Sequence, residues 1–148
     1  IRLLNNHLQT TSVSQNRKKW ERELATDNTR REAQAVQDAA ETLHENFVKR
    51  AFQTDSICQL ATASPHPVLV CGDFNSLPSS YTYHRLSESL KDGFKTGGHG
   101  YMSPYRYGKR MLRIDYAFHS PELECTDYYS PNLDLCSDHN PVIFTVKY

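Results

Sequence analysis

The stretch PVLVCGDFNS, residues 67–76, decides how the rest of the chain is read. Val68 to Cys71 is a short continuous apolar run rich in β-branched residues, the composition of a central strand buried on both faces. The run then ends on an acid and an amide, Asp73 and Asn75. Side chains alternate along a strand, so these two project to one side and Phe74 to the other. A strand that only filled a core would have no use for two hydrogen-bonding side chains pointing the same way. An Asp-x-Asn at the C-terminal end of a buried strand sits where α/β sheets place their ligand sites. The same tripeptide also makes an Asx-type turn, both side chains satisfying loop amides. Taken alone, the turn is the stronger reading.

Upstream, Pro65-His66-Pro67 stops a long helical pattern. Val36, Ala40, Leu43, Phe47, Ala51, Thr54, Cys58 and Ala61 recur at steps of three and four, the apolar stripe of one amphipathic helix with its charges on the other face. Thr29-Arg30-Arg31-Glu32 has the capping-box spacing at its start. Before it, residues 1–9 are strand-like and run out into the polar segment TTSVSQNRKKWERELATDN, residues 10–28. A helix between two strands predicts a β-α-β crossover. Downstream, a shorter helix is expected from Tyr81 to Leu90 after the Pro78-Ser79-Ser80 turn, and Gly97-Gly98-His99-Gly100 marks a loop. Four extended stretches follow, Tyr101–Tyr107, Leu112–His119, Leu123–Ser130 and Val142–Lys147. The expected architecture is α/β with a mixed sheet, helices early and strands late.

At 148 residues the chain is long enough for one domain with its own core. Lys and Arg number 17 against 17 Asp and Glu, so the global basic field of a non-specific nucleic-acid binder is missing. No apolar run approaches the roughly 20 residues that span a bilayer, and no signal-peptide pattern is visible. Cys58, Cys71, Cys125 and Cys136 are scattered without a C-x-x-C pair, which predicts free buried thiols rather than zinc ligands. The chain starts IRLLNNHLQTT, strand-like from its first residue and without an initiator Met, and is expected to be a piece of something longer.

Three further groups of polar residues stand out. In Arg113-Ile114-Asp115-Tyr116-Ala117-Phe118, Ile114, Tyr116 and Phe118 share one face, and Arg113 with Asp115 the other, where an edge-strand ion pair is the plain reading. In Ser137-Asp138-His139-Asn140-Pro141, Asp138 and His139 form either a loop cap or a metal ligand beside an acid/base group. Pro141 restricts the backbone entering the last strand. His7, in Asn6-His7-Leu8, lies near the start; a lone His beside a strand is usually just packed or exposed. Singly each plain reading holds. Together, a strand His, then GDFN, then RIDY, then SDH form an ordered set.

That set resembles the endonuclease/exonuclease/phosphatase superfamily, the metal-dependent phosphoesterases related to deoxyribonuclease I, apurinic endonucleases, neutral sphingomyelinases and inositol-polyphosphate phosphatases. The matching stretches are NNHL with His7, VLVCGDFNS with Asp73 and Asn75, MLRIDYAFHS with Asp115, and CSDHNPVIFTV with Asp138 and His139. The resemblance implies the mixed-sheet, C-terminal half of a four-layer α/β/β/α sandwich. It implies that His139, paired with Asp115, orients and polarises the attacking water, and that Asp73 positions it, the proton going to His139 or Asp73. Asn75 and His7 would donate to the non-bridging phosphate oxygens. Asp138 would bind magnesium directly or through an intermediate group, with Asp73 and Asn75 also at the metal. Mg²⁺, with Mn²⁺ as the alternative, suits hard oxygen ligands. The implied reaction is in-line hydrolysis of a phosphoester by activated water.

The implied partners are a phosphoester (nucleic acid, inositol phosphate or lipid head group) and the N-terminal half of the same domain, which would bring an Asn and the main metal-binding Glu. Without that half the chain is expected to be inactive alone and, with an open sheet face, to pair with a copy of itself. The loop GGHGYMSPYRYGKRML, residues 97–112, sets Tyr101, Tyr105 and Tyr107 among Arg106, Lys109 and Arg110, for stacking and phosphate contact or as a plain solvated hairpin. The balanced charge argues against a dedicated DNA nuclease. The competing expectation is a catalytically silent α/β binding domain that keeps the fold.

Overall fold

A computed structural model describes residues 1–11, 22, 29–106, 112–133 and 136–148. In chain order the elements are β1 (Arg2–His7), α1 (Thr29–Thr62), β2 (Val68–Asp73), α2 (Tyr81–Ser87), β3 (Lys91–Asp92), α3 (Gly93–Gly97), β4 (Asp115–His119), β5 (Glu124–Tyr129) and β6 (Ile143–Lys147). The first four strands form a mixed sheet in the order β1-β2-β4-β3, and β5 and β6 form a second, antiparallel pair. β1 and β2 run parallel, as a crossover through α1 requires, and β4 is antiparallel to both β2 and β3.

The period-two side-chain alternation sorts the sheet into two faces. On one face Val68, Val70, Tyr116 and Phe118 meet Ile57, Cys58 and Ala61 of α1 and Tyr83 and Leu86 of α2 in a single core. Phe74, fully buried, stands edge-on to Tyr116 and Phe118 in that core. On the other face Ala117 and Cys71 meet Cys125 and Tyr128 of β5, with Phe144 and Val146 of β6. The layers are therefore helices, a mixed four-stranded sheet, and a second sheet. β2 is central as expected, but only its helix-facing side is fully buried; Leu69 and Cys71 on the other side are half-buried.

Helix α1 departs most from its expected stripe. Thr54, Cys58 and Ala61 are buried, but Val36 (59 % exposed), Ala40 and Phe47 lie open, and Leu43 and Ala51 are half-buried. The physical reason is length: 34 residues reach about 50 Å, whereas a six-residue strand reaches roughly 20 Å, so the sheet covers only the C-terminal part of the helix. Ahead of Thr54 the buried positions among the described residues are Ala35 and the polar Asn46 and Arg50. The last two bond the segment after β1, Asn46 Nδ2 donating to Thr11 O and Arg50 Nη1 to Gln9 O at 2.8 Å. The Thr29 side chain of the expected capping box lies outside the described residues.

Helix α2 stops at Ser87, three residues early, because Lys91 and Asp92 leave to pair with β4. Ser80 caps it, its hydroxyl accepting from Tyr83 N. The stretch 101–106 is not a strand; Tyr105 makes one isolated bridge, to His139, and Tyr107, Lys109 and Arg110 lie outside the described residues. All four cysteines are free, Cys58 and Cys125 buried as expected, Cys71 half-buried and Cys136 exposed. Among the described residues no helix is long and apolar enough to cross a membrane.

Candidate active site

Strand register assembles most of the site. His7 of β1 pairs with Asp73 of β2, and Asp73 with Asp115 of β4, so the three stand in one row across adjacent strands at one end of the sheet. Residues in register share a face. His139, from the loop before β6, closes over this row. Its Nδ1 lies 2.9 Å and 3.1 Å from the two Asp115 carboxylate oxygens, and its Nε2 3.9 Å from Asp73 Oδ2. His7 Nε2 lies 3.7 Å from the same Asp73 oxygen and is 76 % exposed at the mouth.

The Asx-turn reading of Asp73 and Asn75 is seen directly. Asn75 N donates to Asp73 Oδ1 at 2.8 Å, which is the Asx turn, and this bends the chain so that Asn75 Nδ2 reaches Asp73 Oδ2 at 3.2 Å. The same amide donates to Leu8 O at 3.2 Å. Asn75 has φ +47°, a left-handed conformation that Asn tolerates better than most residues. Asp73 Oδ2 is thus the point on which Asn75, His7 and His139 converge.

Burial pushes the Asp115 carboxyl up to about 6; the neighbouring His139 pulls it down, while Asp73 and Asp138 push it further up. Once ionised, Asp115 can only accept, which makes Nδ1 of His139 the donor and leaves Nε2 with its lone pair facing Asp73. The His139 backbone is equally held. Its N–H donates to Ser137 Oγ, Arg106 N donates to Asp138 O, and Asn140 N donates to Pro104 O. The Tyr105 ring leans on the imidazole at 4.9 Å between centroids.

Asp73, Asp115 and His139 offer ligand atoms all within 4.8 Å of one another, the only such group among the described residues. Mg²⁺ takes about six ligands and commonly uses one or two carboxylates, the rest being water and substrate phosphate, so two carboxylates here fit it. Asp138 is exposed and stands outside that group, though its charge is felt at Asp115.

The expected Arg113–Asp115 ion pair is not formed. β4 is an inner strand, and Asp115 is committed to His139. Arg113 instead makes a buried two-pronged pair with Asp92, at 3.2 Å and 2.7 Å, and lies over the Tyr116 ring at 4.6 Å. Tyr83 donates to the same Asp92, whose other oxygen caps α3. Sequence reading missed Asp92, which sits in no motif, and Arg50. No signal marked Arg50, because Ala51 fills the place between Phe47 and Thr54 on the helical stripe. Of the loop aromatics, Tyr101 is exposed, and Arg106 donates to Ser137 O at 3.0 Å.

Layered α and β elements, with an acid-imidazole pocket where strand ends meet, define a class of α/β proteins built around a polar site at one end of a mixed sheet. This chain belongs to the Endonuclease/Exonuclease/phosphatase family, which it matches over residues 9–139. Solved structures agree in fold. A functionally unknown conserved protein from Enterococcus faecalis is 18 % identical over 68 % of this chain and 45 % of its own, with a TM-score of 0.58. An endonuclease/exonuclease/phosphatase from Bacteroides vulgatus is 24 % identical over 70 % and 44 %, TM-score 0.54. A mannosyl-6-phosphatase from Bacteroides thetaiotaomicron is 22 % identical over 70 % and 46 %, TM-score 0.50. The chain therefore spans less than half the length of each of these. No curated protein matches it.

Proposed function

We propose that this chain carries one wall of the active site of a divalent-metal-dependent phosphoester hydrolase, with Mg²⁺ as its ion and Mn²⁺ as a substitute. The observation that carries the reading is the registered row His7, Asp73 and Asp115 closed by His139, together with the family to which the chain belongs. The 3.9 Å gap between His139 Nε2 and Asp73 Oδ2 is too long for a direct hydrogen bond and suits a water held between them. In this reading Nε2 takes the proton of that water as its oxygen attacks phosphorus, while the ester P–O bond in line with the attack breaks and the leaving oxygen takes a proton from solvent. Asp115 fixes the tautomer and stabilises the imidazolium that forms. Asp73 orients the water. His7 Nε2 donates to a non-bridging phosphate oxygen, where charge develops, and Asn75 Nδ2 joins it by exchanging its bond to Asp73 Oδ2 for one to the phosphate while keeping Leu8 O. A cation held by Asp73, with Asp138 and Asn75 nearby, would supply further neutralisation of that charge.

The substrate is a phosphoester, and the choice among nucleic acid, inositol phosphate, lipid head group and sugar phosphate rests with loops outside this row. The N-terminal half of the domain is its proposed partner, completing the metal site. The test is hydrolysis of bis-(p-nitrophenyl) phosphate with Mg²⁺ by the complete polypeptide that carries these residues. His139→Ala is expected to lower kcat by at least about 100-fold, in the range that general-base groups supply. Full rate in that variant would overturn the assignment, and an inactive wild type that still binds ligands would favour a silent binding domain. The 148-residue chain alone is expected to turn over little or nothing.

A further inference from the structure

Arg50 is 1 % exposed, and among the described residues its guanidinium makes one hydrogen bond, to Gln9 O, while Nε and Nη2 are buried without a partner. The other compensation among the described residues is the Phe47 ring, 4.7 Å beneath the guanidinium, and the more distant charge of Asp73. Core filling does not explain this residue. A buried cation with most of its donors unused is costly, and an apolar side chain of similar volume is commonly neutral or stabilising in its place. Its single bond is therefore the clue to its use.

That bond lands on a short bridge. Gln9 is held from both sides by α1, its carbonyl by Arg50 and its N–H by Gln53 Oε1 at 2.9 Å. The preceding residue, Leu8, receives the Asn75 amide on its carbonyl and donates its own N–H to Asp73 O at 2.9 Å. Two residues of backbone thus connect helix α1 to both polar groups at the end of β2. Among the described residues no other hydrogen bond from α1 leads to these groups.

We infer that Arg50 is a positioning residue: by fixing the Leu8–Gln9 backbone from behind, it sets the Asn75 amide beside Asp73, with Gln53 as the second pin. The inference about geometry stands on this chain alone; its consequence for rate rests on the proposed hydrolase. Its chemistry is directional. A guanidinium at this position donates along a fixed line into the Gln9 carbonyl. Arg50→Met fills the volume and releases that carbonyl. The Leu8 carbonyl can then rotate away from Asn75.

The direct measurement is the Asn75 side-chain amide in ¹⁵N–¹H spectra of the 148-residue chain. In Arg50→Met this signal is expected to move and to exchange faster with solvent. Melting temperature should stay at or above that of the wild type, and Arg50→Lys, which can still donate to Gln9 O, should restore much of the shift. In the complete polypeptide the same Arg50→Met should lower kcat on bis-(p-nitrophenyl) phosphate by about 10- to 100-fold with KM little changed, the scale of a small misplacement of a reacting group. A folded Arg50→Met with an unmoved Asn75 amide overturns the inference, whatever the rate. A moved amide in a polypeptide whose wild type hydrolyses nothing supports the inference and counts against the hydrolase. Should Arg50→Met fail to fold, Gln53→Leu decides. It removes the other pin from an exposed position, and an unmoved Asn75 amide there is the overturning result.

Discussion

At the scale of single residues, Asp115 shows how a site is made from an unfavourable choice. Burying its carboxyl, with Asp73 and Asp138 nearby, raises its pKa to about 6 against the downward pull of His139. An unfolded aspartate titrates near about 3.9. With the folded value above the unfolded one, it is the protonated form that stabilises the fold. That contribution is complete below a pH of about 4 and is lost as pH rises through about 6. We therefore expect wild-type stability, measured by thermal melts with a chelator present, to fall across this window relative to Asp115→Asn, which has no charge to acquire. Parallel pH profiles for the two proteins would rule this out. The same residue illustrates the limits of motif reading. RIDY singles out Asp115, yet its neighbour Arg113 belongs to a partnership with Asp92 that no local pattern announces.

At the scale of elements, the parallel pairing of β1 with β2 sets the site, because it is what aligns His7 with Asp73. Gly72 makes that pairing possible. Its φ of +134° is closed to side-chain-bearing residues, and a Cβ there would overlap the Asn6 carbonyl oxygen opposite. Gly72→Ala is expected to separate the strands at this end, destabilising the chain by about 3 kcal/mol or more, the sum of backbone strain and lost packing. Urea denaturation with an unchanged midpoint would contradict this. Helix α1 carries the complementary lesson. Its spacing announced a helix and its approximate ends, and the structure has it at Thr29–Thr62. Which of its residues are buried depended on how far the sheet beneath it extends. Asn46 and Arg50 are buried for what they bond, which hydrophobic periodicity cannot register.

At the scale of the whole molecule, the buried Asp92–Arg113 pair ties the β3–α3 junction to the start of β4, with Tyr83 of α2 joining from the side. Asp92→Ala leaves the guanidinium buried without its partner and is expected to cost about 3–5 kcal/mol. Replacing both residues by apolar ones should cost markedly less, and equal costs would show that the pair is not coupled. Among the described residues β1 has no neighbour on its outer edge, and Leu3 on its open face is 61 % exposed. We expect the 148-residue chain to associate with itself through such surface; sedimentation giving a monomer mass at high concentration would refute that. The sequence by itself determined the β-α-β start, the family, and the identity of His7, Asp73, Asn75, Asp115, Asp138 and His139 as the residues of interest. The β-α-β start follows from spacing along the chain, and the family and those residues from the resemblance that the ordered motifs carry, all of them local properties. Only the tertiary structure decided that His7, Asp73 and Asp115 stand in one registered row, that His139 bonds Asp115, that Asp138 lies outside the group, and that Arg50 reaches the pocket through Gln9 and Leu8. Strand register and the meeting of residues far apart in sequence are settled by how two faces of a sheet are buried at once, and no stretch of chain read alone contains that information.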